Sequence, residues 1–130
     1  MELYIAEIGF NVMKRGQYLK GVNHRLIKIF RAAGDLEADG VAWVLAEKYL
    51  AKKYGEDAII GNFYQDKVCL VRELSRLRLI FSWKKLKSEL WEEELWKLAE
   101  KFSDDNDILD KILNELKERR SNSQKQKELV

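Results

Sequence analysis

The chain contains no proline in 130 residues. Proline is the residue that forcibly breaks a helix, by removing an N–H donor and clashing with the preceding turn. Nothing in this sequence does so, and glycines and short polar clusters must set the element boundaries. Read with helical periodicity, residues 1–34 show a sustained stripe. Ile5, Ile8, Val12, Leu19, Val22, Leu26, Ile29 and Ala33 follow steps of three and four, with Arg15 at the one unfilled position. This predicts one long amphipathic helix, or two nearly coaxial ones broken near Gly16. A competing pattern covers the start, where Tyr4, Ala6, Ile8, Phe10 and Val12 alternate at period two as in a strand. The helix is preferred because a strand would not share phase with the stripe that continues to Ala33.

Gly34-Asp35 ends this segment. A second helix is expected from Leu36 or Val41 to Tyr54, capped by Asp35 or Asp39 and stopped by Gly55. Residues 55–63, with Gly55 and Gly61, read as a connector. From Gln65 to Lys87 apolar residues fill most of the helical circumference. Leu70, Val71, Leu74, Leu77 and Phe81 make one face, and Val68, Leu79, Ile80, Trp83 and Leu86 populate the rest. A helix apolar nearly all round is buried between other elements or by a second chain. Ser88 is a candidate cap for a helix that opens with Glu89, Glu92, Glu93 and Glu94, and a last helix carries Ile108, Leu109, Ile112, Leu113 and Leu116. The expected fold is therefore all-α: a single-domain bundle of about five helices around a buried central helix, 68–86. The helical domain spans 1–118, followed by a basic polar tail, 119–130.

Composition excludes several classes. Apolar residues make up 46% and charged residues 35%, too apolar for disorder and too charged for a membrane protein. No apolar run approaches the roughly 18 residues of a bilayer span, and the start, Met1-Glu2-Leu3-Tyr4, does not read as a signal peptide. A cytoplasmic protein is expected. Abundant Lys, Glu, Leu and Ile lean towards a thermophilic source. Cys69 and His24 are the only residues of their kinds, too few for a typical zinc site. Asp104, Asp105, Asp107 and Asp110 resemble a calcium loop, but counting from Asp105 the sixth and twelfth positions hold Asp110 and Leu116, where glycine and glutamate are needed. The run reads better as a capped helix start, and Glu92, Glu93 and Glu94 as a solvated face. No Gly-rich phosphate loop is present. His24 lies between Asn23 and Arg25 with no neighbouring acid or nucleophile, so a surface or phosphate-contacting role is expected rather than a catalytic one. Neither metal, cofactor nor enzymatic activity is expected.

Charge is blocked along the chain. Residues 1–34 carry +4, 35–66 carry −4, 67–88 carry +6, 89–118 carry −7 and 119–130 carry +3. Oppositely charged blocks can pack together inside the fold, or the basic ones can form a joint positive surface. On the predicted first helix Gln17, Lys20, His24, Lys28 and Arg31 share one face, with no acid between Lys14 and Arg31. A phosphate backbone is the simplest partner for such a row. Arg72, Arg76 and Lys87 form a second basic strip, pairing with carboxylates such as Glu47 or Glu92 or extending the positive surface. The candidate nucleic-acid residues are Lys14, Arg15, Lys20, His24, Lys28, Arg31, Arg72 and Arg76. Trp83, Trp91 and Trp96 are the candidate protein interface.

The size, the helical reading and the basic faces loosely resemble the small helical subunits of CRISPR ribonucleoprotein complexes. The local likeness covers Leu74-Ser75-Arg76-Leu77-Arg78-Leu79-Ile80-Phe81 and transfers no residue roles. The leading expectation is a non-enzymatic nucleic-acid-binding subunit of a larger assembly. The alternative is a protein–protein adaptor or inhibitor that uses the apolar helix and the tryptophans. A protein partner or a homodimer is expected in either case, and no membrane.

Overall fold

A computed structural model describes the backbone of residues 1–128 and the side chains in that range other than those of residues 20–22, 64–65 and 126–128. The fold is α+β rather than all-α. In chain order the elements are β1 (Glu2–Lys14), β2 (Gln17–Ala32), α1 (Asp35–Tyr54), β3 (Ala58–Leu70), a 3-10 turn (Val71–Glu73), α2 (Arg76–Leu86), α3 (Glu92–Lys101) and α4 (Asn106–Glu128). The chain divides into two compact units, Met1–Glu73 and Leu74–Val130.

In the first unit the expected long helix is a β-hairpin. Its turn needs left-handed backbone at both central positions, and Arg15 and Gly16 supply φ of 54° and 76°. This is the two-residue turn whose twist matches that of paired strands. β1 pairs antiparallel with β2 on one side and with β3 on the other, giving the order β2-β1-β3. Successive strand residues point to opposite faces. Tyr4, Ala6, Ile8, Phe10 and Val12 face α1, so the period-two pattern was the true one. Leu3 and Ile5 point the other way and are buried as well. A central strand covered on both faces loses its alternation, and Ile5 and Ile8, three apart on opposite faces, imitate a helical stripe.

α1 lies where the sequence places it. It buries Ala38, Ala42, Ala46 and Leu50, spaced four apart, and its small side chains let it sit close to the sheet. No side chain caps its N-terminus. Asp35 instead accepts a hydrogen bond from the Tyr4 hydroxyl at 3.0 Å, tying the helix start to β1. Gly55, at φ 95°, ends the helix.

The expected connector 55–63 and the first part of the expected central helix are together strand β3. Two bulges displace its register, between Gly9 and Phe10 and between Asn11 and Val12 of β1. The β3 residues paired with the α1-facing residues of β1 are Ala58, Ile60, Phe63, Asp66, Val68 and Leu70. Two of those steps are three residues long, so β3 shows no strand periodicity in sequence.

In the second unit the helix starts at Arg76, not near 68. Ser75 caps it, its hydroxyl accepting the Arg78 N–H. α2 is not buried all round. Leu79, Trp83 and Leu86 are buried, while Leu77 is 61% and Phe81 85% exposed. α3 opens at Trp91 rather than Ser88, with the Trp91 N–H donating to the Glu94 carboxylate at 2.8 Å. It buries Leu95, Leu98 and Ala99. Asp105 caps α4, accepting the Ile108 N–H at 3.3 Å. α4 buries Ile108, Ile112 and Leu116 and continues unbroken past residue 118. Within this unit Arg119 donates to the Lys87 carbonyl at 2.7 Å.

Candidate nucleic-acid interface

The predicted row of cations requires a helix, and β2 is a strand. Its period of two sends His24 and Lys28 to the α1 side, opposite Phe10 and Ala6, and Arg31 to the other face, opposite Leu3. The Lys20 side chain lies outside the described residues. His24 is half-buried rather than a surface residue. Its ring lies 5.4 Å from those of Tyr49 and Tyr54 and 5.7 Å from Phe10, and its Nε2 is 2.5 Å from the Tyr54 hydroxyl. Burial, and then the charge of Lys53, hold its pKa below the ordinary histidine value.

The other candidates are largely paired within the fold. Lys14 donates to the Tyr54 carbonyl at the end of α1, at 2.7 Å, where the helix dipole favours a cation. Its ammonium lies 3.6 Å from Asp57, which Arg15 contacts at 3.2 Å. Burial raises the Asp57 pKa, but these two cations outweigh it and hold the carboxyl below its usual range. Arg72 pairs with Glu2 at 3.2 Å. Arg76 pairs with Asp105 and, at 3.2 Å, with Asp107. Neither expected partner, Glu47 or Glu92, is used in these pairs. Of the three tryptophans expected at a protein interface, Trp83 is buried, while Trp91 and Trp96 are about half exposed.

A different constellation occupies the sheet face opposite α1, in the half nearer the hairpin turn. Asn11 pairs in register with Asn23 on β2 and with Asn62 on β3. Three carboxamides therefore form a row across all three strands. Asn23 and Asn62 are exposed, and among the described residues none of the three side chains is taken up by a hydrogen bond. Towards the turn, Met13 pairs with Tyr18 on β2 and Ile59 on β3. The Tyr18 ring leans across the face towards β3. A Cβ on Gly61 would meet its Cε1 at 2.5 Å and the Met13 Cγ at 2.8 Å. Only glycine leaves room for a ring in that position. Tyr18 is 55% exposed, so the sheet backs one side of the ring and solvent meets the other. On the far side of the asparagine row Arg25 and Lys67 are exposed on the two outer strands. Arg25 reaches Glu7 at 3.4 Å and keeps 60% of its side chain in solvent.

None of these sheet residues, the neighbouring Arg25 and Lys67 included, was among the candidates read from the sequence. Tyr18 and Gly61 are 43 positions apart, and the bulges of β3 conceal which of its residues face Asn11. The pairing of Asn11 with Asn23 was concealed as well, because the β1–β2 register shifts between Asn11 and Met13, and regular pairing from the turn would have set Asn11 against position 20.

Among the described residues no cluster of three potential metal ligands occurs, and no helix is long and apolar enough to cross a membrane. Comparison of the chain with protein-family models, curated proteins and solved structures finds no match in any of the three.

Proposed function

We propose that this is a non-catalytic, cytoplasmic nucleic-acid-binding protein, a small subunit of a larger assembly, and that the hairpin-side half of the open sheet face makes the contact. One observation carries the reading. An exposed aromatic ring, three carboxamides unengaged among the described residues and two flanking cations share one face. Rings, amides and cations are the groups that meet bases, base edges and phosphates. Arg25 and Lys67 supply charge on either side, and the ring and amides supply contact between them. The enclosure of His24 by three aromatic rings argues against a role in proton transfer to a substrate. The test is fluorescence anisotropy with labelled RNA and DNA. The double variant Arg25→Glu/Lys67→Glu is expected to bind roughly tenfold or more weakly than the parent, each phosphate contact being lost and replaced by repulsion. Absence of binding to either polymer near physiological salt would overturn the proposal.

A second reading has its own observation. Leu77 and Phe81, four apart on α2, stand exposed beside Lys84 and Lys85, as an adaptor helix would require. The internal pairing of Arg72 and Arg76 favours it over a basic strip there. Under this reading Phe81→Ser removes association with a protein partner or with a second copy and leaves nucleic-acid binding intact.

A further inference from the structure

Resting on the nucleic-acid reading, we infer that the open sheet face takes unpaired bases: one base stacks on Tyr18 and an adjacent base is held at its edge by Asn11, Asn23 and Asn62. The geometry separates single strands from duplex. Tyr18 starts on β2 and reaches the position above Gly61 on β3, two strands away. Strands lie about 4.8 Å apart, so the side chain must lie along the face instead of standing up from it. A ring in that posture offers a π-face and no protruding wedge. Stacked bases inside a duplex have their faces covered, and a sheet three strands wide presents no narrow element to a groove. Only an unpaired base can lay its own face on the ring.

The asparagine row adds discrimination. Each carboxamide carries an acceptor oxygen and a donor NH₂ in one plane, the same alternation that base edges present. Asn11 sits on the central strand between Asn23 and Asn62, so donors and acceptors span about 10 Å across the sheet. They lie on the same face as the ring and in the next pairs along β1 from Met13. A base stacked on Tyr18 therefore delivers its neighbour in the strand to the amides, while Arg25 and Lys67 lie beyond them for the backbone.

The experiment uses the full chain and three labelled probes of equal length: a single-stranded oligonucleotide, its duplex, and a strand of abasic sites with the same phosphates. The single strand is expected to bind at least about tenfold more tightly than the other two. Tyr18→Ala should weaken single-strand binding by roughly 5- to 150-fold, the range for loss of one stacked base, and leave the abasic strand unaffected. Tyr18→Phe keeps the face and should keep the affinity. Gly61→Ala must push the ring aside and should behave like Tyr18→Ala, with circular dichroism and thermal unfolding verifying the fold. Asn23→Ala/Asn62→Ala should change the ranking of homopolymers, not lower all of them equally. Equal binding of all three probes, or unchanged binding by Tyr18→Ala, overturns this inference and leaves nucleic-acid binding standing. Failure of every probe to bind overturns both.

Discussion

Single residues with unusual surroundings set the sharpest expectations. Gly16, at φ 76°, has open space around its Cα, so a methyl group there meets no neighbour. The cost of a side chain is purely conformational, on the order of 1–2 kcal/mol for an L-residue held in the left-handed region. Gly16→Ala should lower the urea midpoint accordingly with the m-value unchanged. His24 gives a pH dependence. Its folded pKa lies below the ordinary 6.5 because burial favours the neutral ring. As pH falls through that value the unfolded chain takes up the proton first. The contribution is full above about pH 6.5 and is lost as pH drops towards the folded pKa, a slope that His24→Gln should flatten in urea titrations at successive pH values. Asp57 and Asp105 act in a lower window. Burial raises both pKa values, but hydrogen bonds from Arg15 and Arg76 more than offset it and leave both below the ordinary 3.8. Their share is present above about pH 4 and disappears in stronger acid.

At the level of elements, some of the fold was open to reading and some was closed for identifiable reasons. α1 was legible because one face is buried and glycines bracket it. The capped start of α4 was legible, without the capping residue, because an acidic run before an apolar stripe has one common use. β1 was half legible: its α1-facing alternation is plain, but burial of Leu3 and Ile5 on the other face blurs it. β3 was illegible because two bulges replace steps of two by steps of three. In the 68–86 stretch a strand end, a 3-10 turn and a helix share a run of apolar residues, and no periodicity marks the change between them. α2 also shows how apolar content overstates burial. Leu79→Ala removes a fully buried side chain and should cost roughly 2–5 kcal/mol. Phe81→Ser, at an exposed site on the same helix, should stay within about 0.5 kcal/mol. Paired denaturant curves decide this, and equal losses would show that Phe81 is covered in solution.

For the whole molecule, several cations of the alternating charge blocks are paired internally. Lys14 and Arg15 of the first block meet Asp57 of the second. Arg76 of the third meets Asp105 and Asp107 of the fourth, and Arg119 of the fifth meets Glu115. These exposed pairs add little stability each, but they occupy cations that the sequence offered to phosphates. The salt dependence of nucleic-acid binding should therefore be shallow. Two or three phosphate contacts on a single strand give a log–log slope of about −1.4 to −2.1. A slope beyond about −4 in anisotropy titrations would mean that the internal pairs open to free their cations on binding.

The position of β1 between both other strands has a kinetic consequence. Its pairing with β2 needs only a two-residue turn, and a hairpin of this kind closes in roughly 1–10 μs. Its pairing with β3 joins Tyr4 to Leu70 across the whole of β2 and α1, and such distant partners meet later because more chain must be ordered first. β1 is thus a template on which the sheet grows in one direction, from the hairpin outward. Stopped-flow chevrons should show Leu26→Ala in β2 slowing refolding, with Val68→Ala in β3 mainly speeding unfolding. The reverse pattern would mean that β3 and α1 assemble first and that the hairpin closes onto them.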